Sequence, residues 1–242
     1  MNVPKRAPYI LGIGHRARIG KDTMADWLVQ NCGYTKLRWS DEIYAEVSRC
    51  SLSLIGDYDS GMLMINHKGE SFVFNKPQTP RLYQKVWEWV HDTPPDHFEV
   101  FVKEVNGTVA VRYEGMKAKD ARLLQWWGTD FRRSLFGDQY WVKKVVNAID
   151  TETERSKVED TYNRFVIPDT RFPNEVDACR EWGGRYCNIS RCDGPVYDTG
   201  RDSDHISETA LDNYEPDFDI SSDGTLEEYT ERLSTTFNHW RI

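Results

Sequence analysis

The sequence contains no apolar run long enough to cross a bilayer. Its first eight residues, M-N-V-P-K-R-A-P, are also too short and too polar for a signal peptide. Internal repeats and low-complexity segments are missing as well. These absences predict a soluble, cytoplasmic protein that does not bind a membrane.

Paired cysteines are another missing feature. The five cysteines are an odd number, are scattered along the chain and include no C-x-x-C pair. This pattern is typical of reduced thiols in a cytosol, so we interpret the cysteines as small core residues.

An excess of positive charge is also absent. The formal net charge is −8, and charges of both signs are mixed along the sequence, so no overall field attracts nucleic acid. We therefore expect no stable binding to nucleic acid. Any anion that binds must meet a local cluster of arginine and lysine.

The chain does contain enough apolar residues to form a core. They make up 39% of the 242 residues and include nine Trp, twelve Tyr and ten Phe. Short apolar runs alternate with segments of helical periodicity. That order predicts an α/β fold with a central parallel sheet flanked by helices. One domain over residues 1–242 is the simplest arrangement.

The most informative stretch is residues 9–28, which read Y-I-L-G-I-G-H-R-A-R-I-G-K-D-T-M-A-D-W-L. A buried strand, a glycine and arginine turn, and a helix from Lys21 follow one another, as in a phosphate-binding loop. In such a loop main-chain N–H groups, a lysine and a hydroxyl surround the phosphates and Mg²⁺. Gly20, Lys21 and Thr23 provide the last three positions.

The first half of this loop departs from the usual G-x-x-x-x-G-K-[ST] pattern. His15 occupies the position of the first glycine, Gly14 stands one residue earlier, and Asp22 separates the lysine from Thr23. Arg16 and Arg18 lie inside the loop. The alternative interpretation is an ordinary glycine turn with surface arginines, but strand, glycines, arginines, G-K-D-T and helix in this order favour a phosphate site.

A second cluster follows a short apolar run, R-F-V-I, at residues 164–167. Asp169 and Arg171 come directly after it, ahead of a predicted helix from Pro173, where a parallel sheet places its ligand. The alternatives are a helix cap for Asp169 and a surface ion pair for Arg171. Asp41 also follows a predicted strand, and ligand contact and helix capping are equally compatible with its position.

Residues 55–115 interrupt the alternation of strands and helices. Glycines, asparagines and prolines predict irregular structure over 55–80, and two alternating segments around Asn106-Gly107 predict a β-hairpin. We interpret the region as an insertion that serves as a lid, an acceptor-side region or a dimer contact. Further on, Gly128 interrupts a helix predicted for 119–136, which suggests close approach to another helix or a ligand.

Six blocks in order resemble the phage deoxynucleoside monophosphate kinases, a branch of the P-loop kinase superfamily. They are H-R-A-R-I-G-K-D-T from His15, R-L-L-Q-W-W-G-T-D-F from Arg122, Q-Y-W-V-K from Gln139, V-I-P-D-T-R-x-x-x-E-x-D-A from Val166, D-x-D-H-I-S-E from Asp202 and D-I-x-x-D-G-T-L-E-E from Asp219. The blocks span nearly the whole chain. The family's F-A-x-P-[IL]-K segment differs here, since Glu42 replaces its proline and Tyr44 its lysine.

The resemblance implies a P-loop NTPase three-layer sandwich and transfer of the γ-phosphoryl of ATP, with Mg²⁺, to a deoxynucleoside 5′-monophosphate. Such a reaction would supply DNA precursors in the host cytoplasm if the chain is phage-encoded, and the resemblance suggests a homodimer. The residues it implies for catalysis are Arg18, Lys21, Asp169 and Arg171. For ATP it implies Gly20, Lys21, Asp22, Thr23 and Arg191, and the interpretation of the loop adds Gly14 and Arg16. Thr23 and Asp22 are expected near Mg²⁺, the carboxylate through water. For the acceptor it implies Arg122, Gly128, Thr129, Trp141, Asp169, Arg171 and Glu175, and the position of Asp41 after a predicted strand adds that residue.

Two other functions stay open at this stage. Related P-loop kinases of phages act on a hydroxymethylated pyrimidine in DNA, although the net charge and the lack of a basic stripe disfavour a polymer substrate. A nucleotide-binding module without turnover is the third reading, since the loop is irregular at His15. The base that the acceptor carries cannot be assigned from these residues.

Overall fold

The computed structural model describes residues 7–14, 16, 18–92, 99–105, 108–114, 121–158, 163–192 and 204–240. In chain order the described strands are β1 Ile10–Gly14, β2 Tyr34–Lys36, β3 Ser51–Ile55, β4 Met62–His67, β5 Glu70–Asn75, β6 Glu99–Val105, β7 Thr108–Glu114, β8 Arg164–Thr170, β9 Arg185–Ser190 and β10 Phe218–Ser221. The described α-helices are α1 Lys21–Cys32, α2 Trp39–Val47, α3 Pro80–Asp92, α4 Ala121–Gln125, α5 Ser134–Phe136, α6 Tyr140–Val158, α7 Pro173–Glu181, α8 Ile206–Thr209 and α9 Leu226–Phe237. A π-helix, Trp126–Arg133, joins α4 to α5, and a 3₁₀ turn, Asn238–Trp240, follows α9.

The chain divides into two compact units. Met1–Trp39 and Asp138–Ile242 form the first, and Ser40–Gly137 forms the second. The predicted insertion, 55–115, falls inside the second unit, which extends beyond it at both ends. Its service as a lid, an acceptor-side region or a dimer contact stays a prediction.

The first unit contains a five-stranded parallel sheet in the order β10-β9-β1-β8-β2. The central strand β1 is buried at every residue, because helices cover both faces of the sheet. On one face Leu11 and Ile13 belong to a core with residues of α1 and α9, and on the other Ile10 belongs to a core with residues of α6 and α7. The predicted parallel sheet with helices on both sides is confirmed.

The second unit contains a five-stranded antiparallel sheet in the order β5-β4-β3-β7-β6. The predicted hairpin is confirmed as β6 and β7, and its Asn106-Gly107 turn lies outside the described residues. The prediction of irregular structure over 55–80 was wrong, since β4 and β5 form another hairpin there. Lys68 and Gly69 take positive φ angles of 50° and 83° in its turn, and Lys-Gly is a weaker sequence signal than Asn-Gly for that geometry.

Helix α6 extends into a run of charged residues, 152–160. Such a run is most simply a solvated connection in sequence, but here the helix continues through Val158. An ion pair one turn apart, Arg155 with Glu152 at 2.9 Å, and the burial of Ser156 explain why the run stays helical.

The helix predicted around Gly128 is a π-helix at this glycine rather than an α-helix. Hydrogen bonds in a π-helix join residues five apart, so Trp127 and Arg132 fall on the same side. Both donate to one carboxylate oxygen of Glu46, from the indole at 3.1 Å and from the guanidinium at 2.8 Å. Arg132 also contacts Nδ1 of His67 at 3.2 Å, and since a guanidinium only donates, that nitrogen accepts.

Within the described residues, no helix combines the length and the apolar character that a membrane span requires.

The buried pair of Glu46 and Arg132 generates a stability prediction. Both side chains are 2–3% exposed, so Glu46→Ala would remove a carboxylate that pairs with a buried guanidinium. We expect the free energy of unfolding to fall by about 3–5 kcal/mol, as measured by urea denaturation followed through tryptophan fluorescence.

The matched control is Asp59→Ala, which removes an ion pair with Lys76 in which the aspartate is 85% exposed. The free energy of unfolding should fall by less than about 1 kcal/mol in this control. Equal, small decreases in both variants would contradict the large contribution assigned to the buried pair.

Candidate nucleotide site

The candidate site of the first unit lies where parallel strands end together. Gly14 at the end of β1 pairs in register with Thr170 of β8 and Asn188 of β9. Because the strands are parallel, the segments that follow them leave the sheet at one edge. The loop to α1, the segment 169–171 and Arg191 therefore belong to this edge.

The loop reaches α1 through two left-handed residues. Arg18 has a φ of 59° and Gly20, the N-cap of α1, a φ of 89°. Glycine is also needed at position 20 for space, since a Cβ there would lie 3.0 Å from the ring of Tyr229. A positive φ at a non-glycine residue such as Arg18 is a strained conformation that clusters at functional sites. His15 and Ala17 lie outside the described residues.

Lys21 begins α1 and turns its side chain inward. The residue is 7% exposed, and its ammonium donates to the main-chain carbonyl of Arg16 inside the loop. The pKa of Lys21 is lowered to about 7, chiefly by burial and also by the nearby charge of Arg171. The carboxylates of Glu208, Asp22 and Asp169 act in the opposite direction and offset part of this shift. A cation at the start of a helix and surrounded by these groups is suited to meet a phosphate.

The segment 169–171 is held by hydrogen bonds from three directions. Asp169 accepts from the main-chain N–H of Trp39 at 3.0 Å. Glu175 accepts from the N–H groups of Arg171 at 2.7 Å and Phe172 at 3.2 Å. Arg171 donates to the carbonyl of Ser207 at 3.1 Å and forms an ion pair with Glu208.

Sequence reasoning missed Glu208 as a site residue. It lies in α8, is 6% exposed, and is the carboxylate partner of Arg171. The available signal was the block D-x-D-H-I-S-E, which was matched to the family without a role for any residue. Next to it, His205 Nδ1 and the hydroxyl of Ser207 are 2.9 Å apart, which fixes the start of this short helix.

The carboxylates of Asp22 and Asp169 both act on Lys21, and oxygen donors of this kind suit a magnesium ion. Burial raises the pKa of Asp22, but a hydrogen bond from Lys36 and the charges of Arg38, Lys36 and Lys21 outweigh it and hold the pKa below its ordinary value. Asp22 is therefore ionised at neutral pH. It is already paired with Lys36 at 2.9 Å and with Arg38, so it suits contact with a metal through water. The described residues contain no cluster of three or more metal-binding His, Cys, Asp or Glu side chains.

Three other predicted residues of the first unit differ in accessibility. Trp141 is 1% exposed and packs edge-on against Tyr140, with ring centroids 4.7 Å apart. Arg191 is exposed just after β9. Arg16 is exposed and binds both carboxylate oxygens of Asp212 at 2.7 Å. A stacking role for Trp141 and nucleotide contacts for the arginines stay predictions.

The remaining predicted acceptor residues belong to the second unit. Asp41 is exposed in α2 and Arg122 is exposed in α4. Gly128 is buried and Thr129 half-buried in the π-helix. Their part in acceptor binding stays a prediction.

The sequence is similar to known proteins over more than half of its length. A family model described as Deoxynucleotide monophosphate kinase matches residues 93–233. This range includes Asp169, Arg171 and Glu208 but not the loop before Lys21.

Two curated relatives, both named deoxynucleotide monophosphate kinase, come from phages. The one from Enterobacteria phage T4 is 34% identical over 115 residues, which is 48% of this chain and 44% of the relative. The one from Escherichia phage RB69 is 29% identical over 133 residues, 54% of this chain and 46% of the relative. The chain thus spans about half the length of the relatives it matches.

The lowered pKa of Lys21 predicts a pH dependence of stability. Lysine titrates near 10.4 in the unfolded chain and at about 7 in the folded one, so between these values the unfolded chain holds the extra proton. Stability should therefore rise from pH 7 to about 10.4, by up to about 1.4 kcal/mol per pH unit, and this group should contribute no slope below pH 7.

Lys21→Met removes this contribution, and the difference between urea denaturation curves of the two proteins across pH isolates it. Lys103→Met, at an exposed position, is the control that should keep the rise. Parallel stability profiles for the wild type and Lys21→Met would contradict the burial of an ionisable amine.

Proposed function

The chain belongs to the deoxynucleotide monophosphate kinase family, and on that premise we propose that it transfers the γ-phosphoryl group of ATP to a deoxynucleoside 5′-monophosphate. The observation that carries the proposal is Lys21, buried at the start of α1 among Arg171, Asp169 and Glu208. This arrangement provides one cation for the donor phosphates and another, on an adjacent strand end, for the acceptor.

On the donor side, main-chain N–H groups at the start of α1 and the ammonium of Lys21 bind the β- and γ-phosphates. Arg18 adds positive charge from the loop, and Arg16 and Arg191 lie at the same edge for the rest of the nucleotide. Lys21 must leave the carbonyl of Arg16 to reach the phosphates. A phosphate would also replace the missing counter-charge, so binding raises the pKa of Lys21 and keeps it protonated.

On the acceptor side, Arg171 holds the monophosphate against the γ-phosphorus. Its guanidinium is already fixed by Ser207 and Glu208, so little entropy is lost when a phosphate binds. Glu175 is 2% exposed and holds the backbone of the turn at Arg171, which makes it a positioning residue for that arginine. Trp141, and in the second unit Asp41, Arg122, Gly128 and Thr129, remain the other acceptor residues that the sequence predicts.

In the reaction, a phosphate oxygen of the acceptor attacks the γ-phosphorus while the bond to the β–γ bridging oxygen breaks. The products are a deoxynucleoside diphosphate and ADP. Both reactants are anions, so catalysis consists of alignment and charge neutralisation by Lys21, Arg18 and Arg171. Mg²⁺, when bound through Thr23 and water on Asp22 or Asp169, neutralises charge on the donor phosphates.

The product, a deoxynucleoside diphosphate, is a precursor for DNA synthesis. If a phage encodes the chain, the reaction would take place in the cytoplasm of the host cell. The two phage relatives support this setting. An assay with each of the four deoxynucleoside monophosphates would show which base the acceptor carries.

We expect ADP release from ATP and Mg²⁺ that depends on at least one deoxynucleoside monophosphate, measured by coupled assay with chromatography of the products. Lys21→Ala should lower the rate by at least about 100-fold, because a donor to the migrating charge is lost. The control Lys103→Ala, at an exposed lysine of the second unit, should be unaffected.

Two results would contradict the proposal. One is ATP binding without turnover on any monophosphate, which would indicate a nucleotide-binding module. The other is transfer of radiolabel to duplex DNA that contains a hydroxymethylated pyrimidine, in place of transfer to the free nucleotide.

A further inference from the structure

A buried tyrosine close to the start of the loop has a hydroxyl group that forms no hydrogen bond with the described residues. Tyr186 lies in β9, is 1% exposed, and its hydroxyl has no hydrogen-bond partner among the described residues. Burial raises the pKa of this phenol well above its usual value, so the hydroxyl carries a proton and can donate. A buried hydroxyl without a partner lowers stability, and native structures contain few such groups.

The position of this hydroxyl relates it to the loop. Tyr186 pairs with Gly12 in the sheet, and its side chain reaches along β1 to Gly14, the residue from which the loop departs. A Cβ on Gly14 would collide with the hydroxyl and the ring. Glycine at position 14 thus allows the phenol to lie directly against the backbone at the start of the loop.

One main-chain carbonyl of the loop would lose its hydrogen-bond donor when ATP binds. The carbonyl of Arg16 accepts from the ammonium of Lys21. On the proposed function, that ammonium moves to the phosphates of ATP, and a loop carbonyl loses its donor. Asp212 interacts with both residues: its carboxylate binds the side chain of Arg16, and its charge acts on Tyr186. Tyr186 and Arg16 therefore share a neighbour.

From these observations we propose that Tyr186 is a positioning residue for the phosphate loop. Its hydroxyl donates to the main-chain carbonyl of Arg16 once the ammonium of Lys21 has left that carbonyl for the donor phosphates. This contact gives the hydroxyl the partner that it lacks among the described residues, so the hydroxyl stabilises the ATP-bound arrangement. This inference rests on the proposed function, since it requires that ATP binds at Lys21.

The test is Tyr186→Phe, which removes the oxygen and keeps the ring. Without ATP the variant should be as stable as the wild type or more stable, because a buried unsatisfied group is gone. Its affinity for a non-hydrolysable ATP analogue should be about 3- to 10-fold weaker, the weight of one hydrogen bond. In turnover, KM for ATP should rise by a similar factor, and KM for the monophosphate should not change.

Tyr34→Phe is the matched control. Tyr34 is a buried tyrosine of the same unit, 3% exposed, whose hydroxyl donates to the carbonyl of Pro8 at 2.8 Å. Its loss should show the opposite pattern, with a lower melting temperature and unchanged affinity for the analogue.

The measurements are calorimetric titration with the analogue and thermal unfolding of all three proteins. Wild-type affinity in Tyr186→Phe would overturn the inference and leave the proposed function intact. A melting temperature lowered as in Tyr34→Phe would also overturn it, since the hydroxyl would then stabilise the fold without ATP. Failure of the wild type to bind the analogue would overturn the proposed function together with the inference.

Discussion

The candidate site of the first unit depends on the burial of one ammonium group. Lys21 lies inside the protein against a loop carbonyl and close to a second cation, Arg171. Such a placement costs free energy that only a compensating anion recovers fully. Three carboxylates compensate in part, and the pKa of about 7 shows how incomplete the compensation is. Because positive charge at this site is only partly neutralised, the site favours binding of an anionic ligand.

The rest of the first unit keeps that cation in place. The parallel sheet brings the ends of β1, β8 and β9 to one edge, and cores on both faces fix the strands. Glu175 and Glu208 then fix the backbone and the guanidinium of Arg171. These polar side chains are therefore engaged within the protein itself, whereas the hydroxyl of Tyr186 has no hydrogen-bond partner among the described residues. Preorganised groups of this kind are what a reaction between two anions requires.

Much of the first unit could be predicted from the sequence because its signals are local. The apolar run ending at Gly14, the G-K-D-T order, and D-T-R after a buried strand each identify an element and its position in a parallel sheet. The partners of these residues could not be predicted. Glu208 meets Arg171 only through the fold, and nothing near Tyr186 in sequence indicates that its hydroxyl lies against Gly14.

The second unit shows where local signals mislead. Its β4–β5 turn contains Lys-Gly, a weak hairpin signal, and turn residues around both strands favoured irregular structure. The π-helix was also hidden, because apolar spacing from Leu123 to Leu135 fits an α-helix. Only Gly128 indicated an interruption. The widened turn is stabilised by Glu46, which lies more than 80 positions away in sequence from both of its donors.

The central claim is that Lys21 exchanges a carbonyl of its own loop for the phosphates of a nucleotide. A crystal structure with Mg²⁺, a non-hydrolysable ATP analogue and a deoxynucleoside monophosphate tests it most directly. The account predicts the β- and γ-phosphates on the N–H groups at the start of α1, the ammonium moved from Arg16 to a phosphate oxygen, and Arg171 on the acceptor phosphate. An ammonium still on the Arg16 carbonyl, with the triphosphate bound elsewhere, would contradict it.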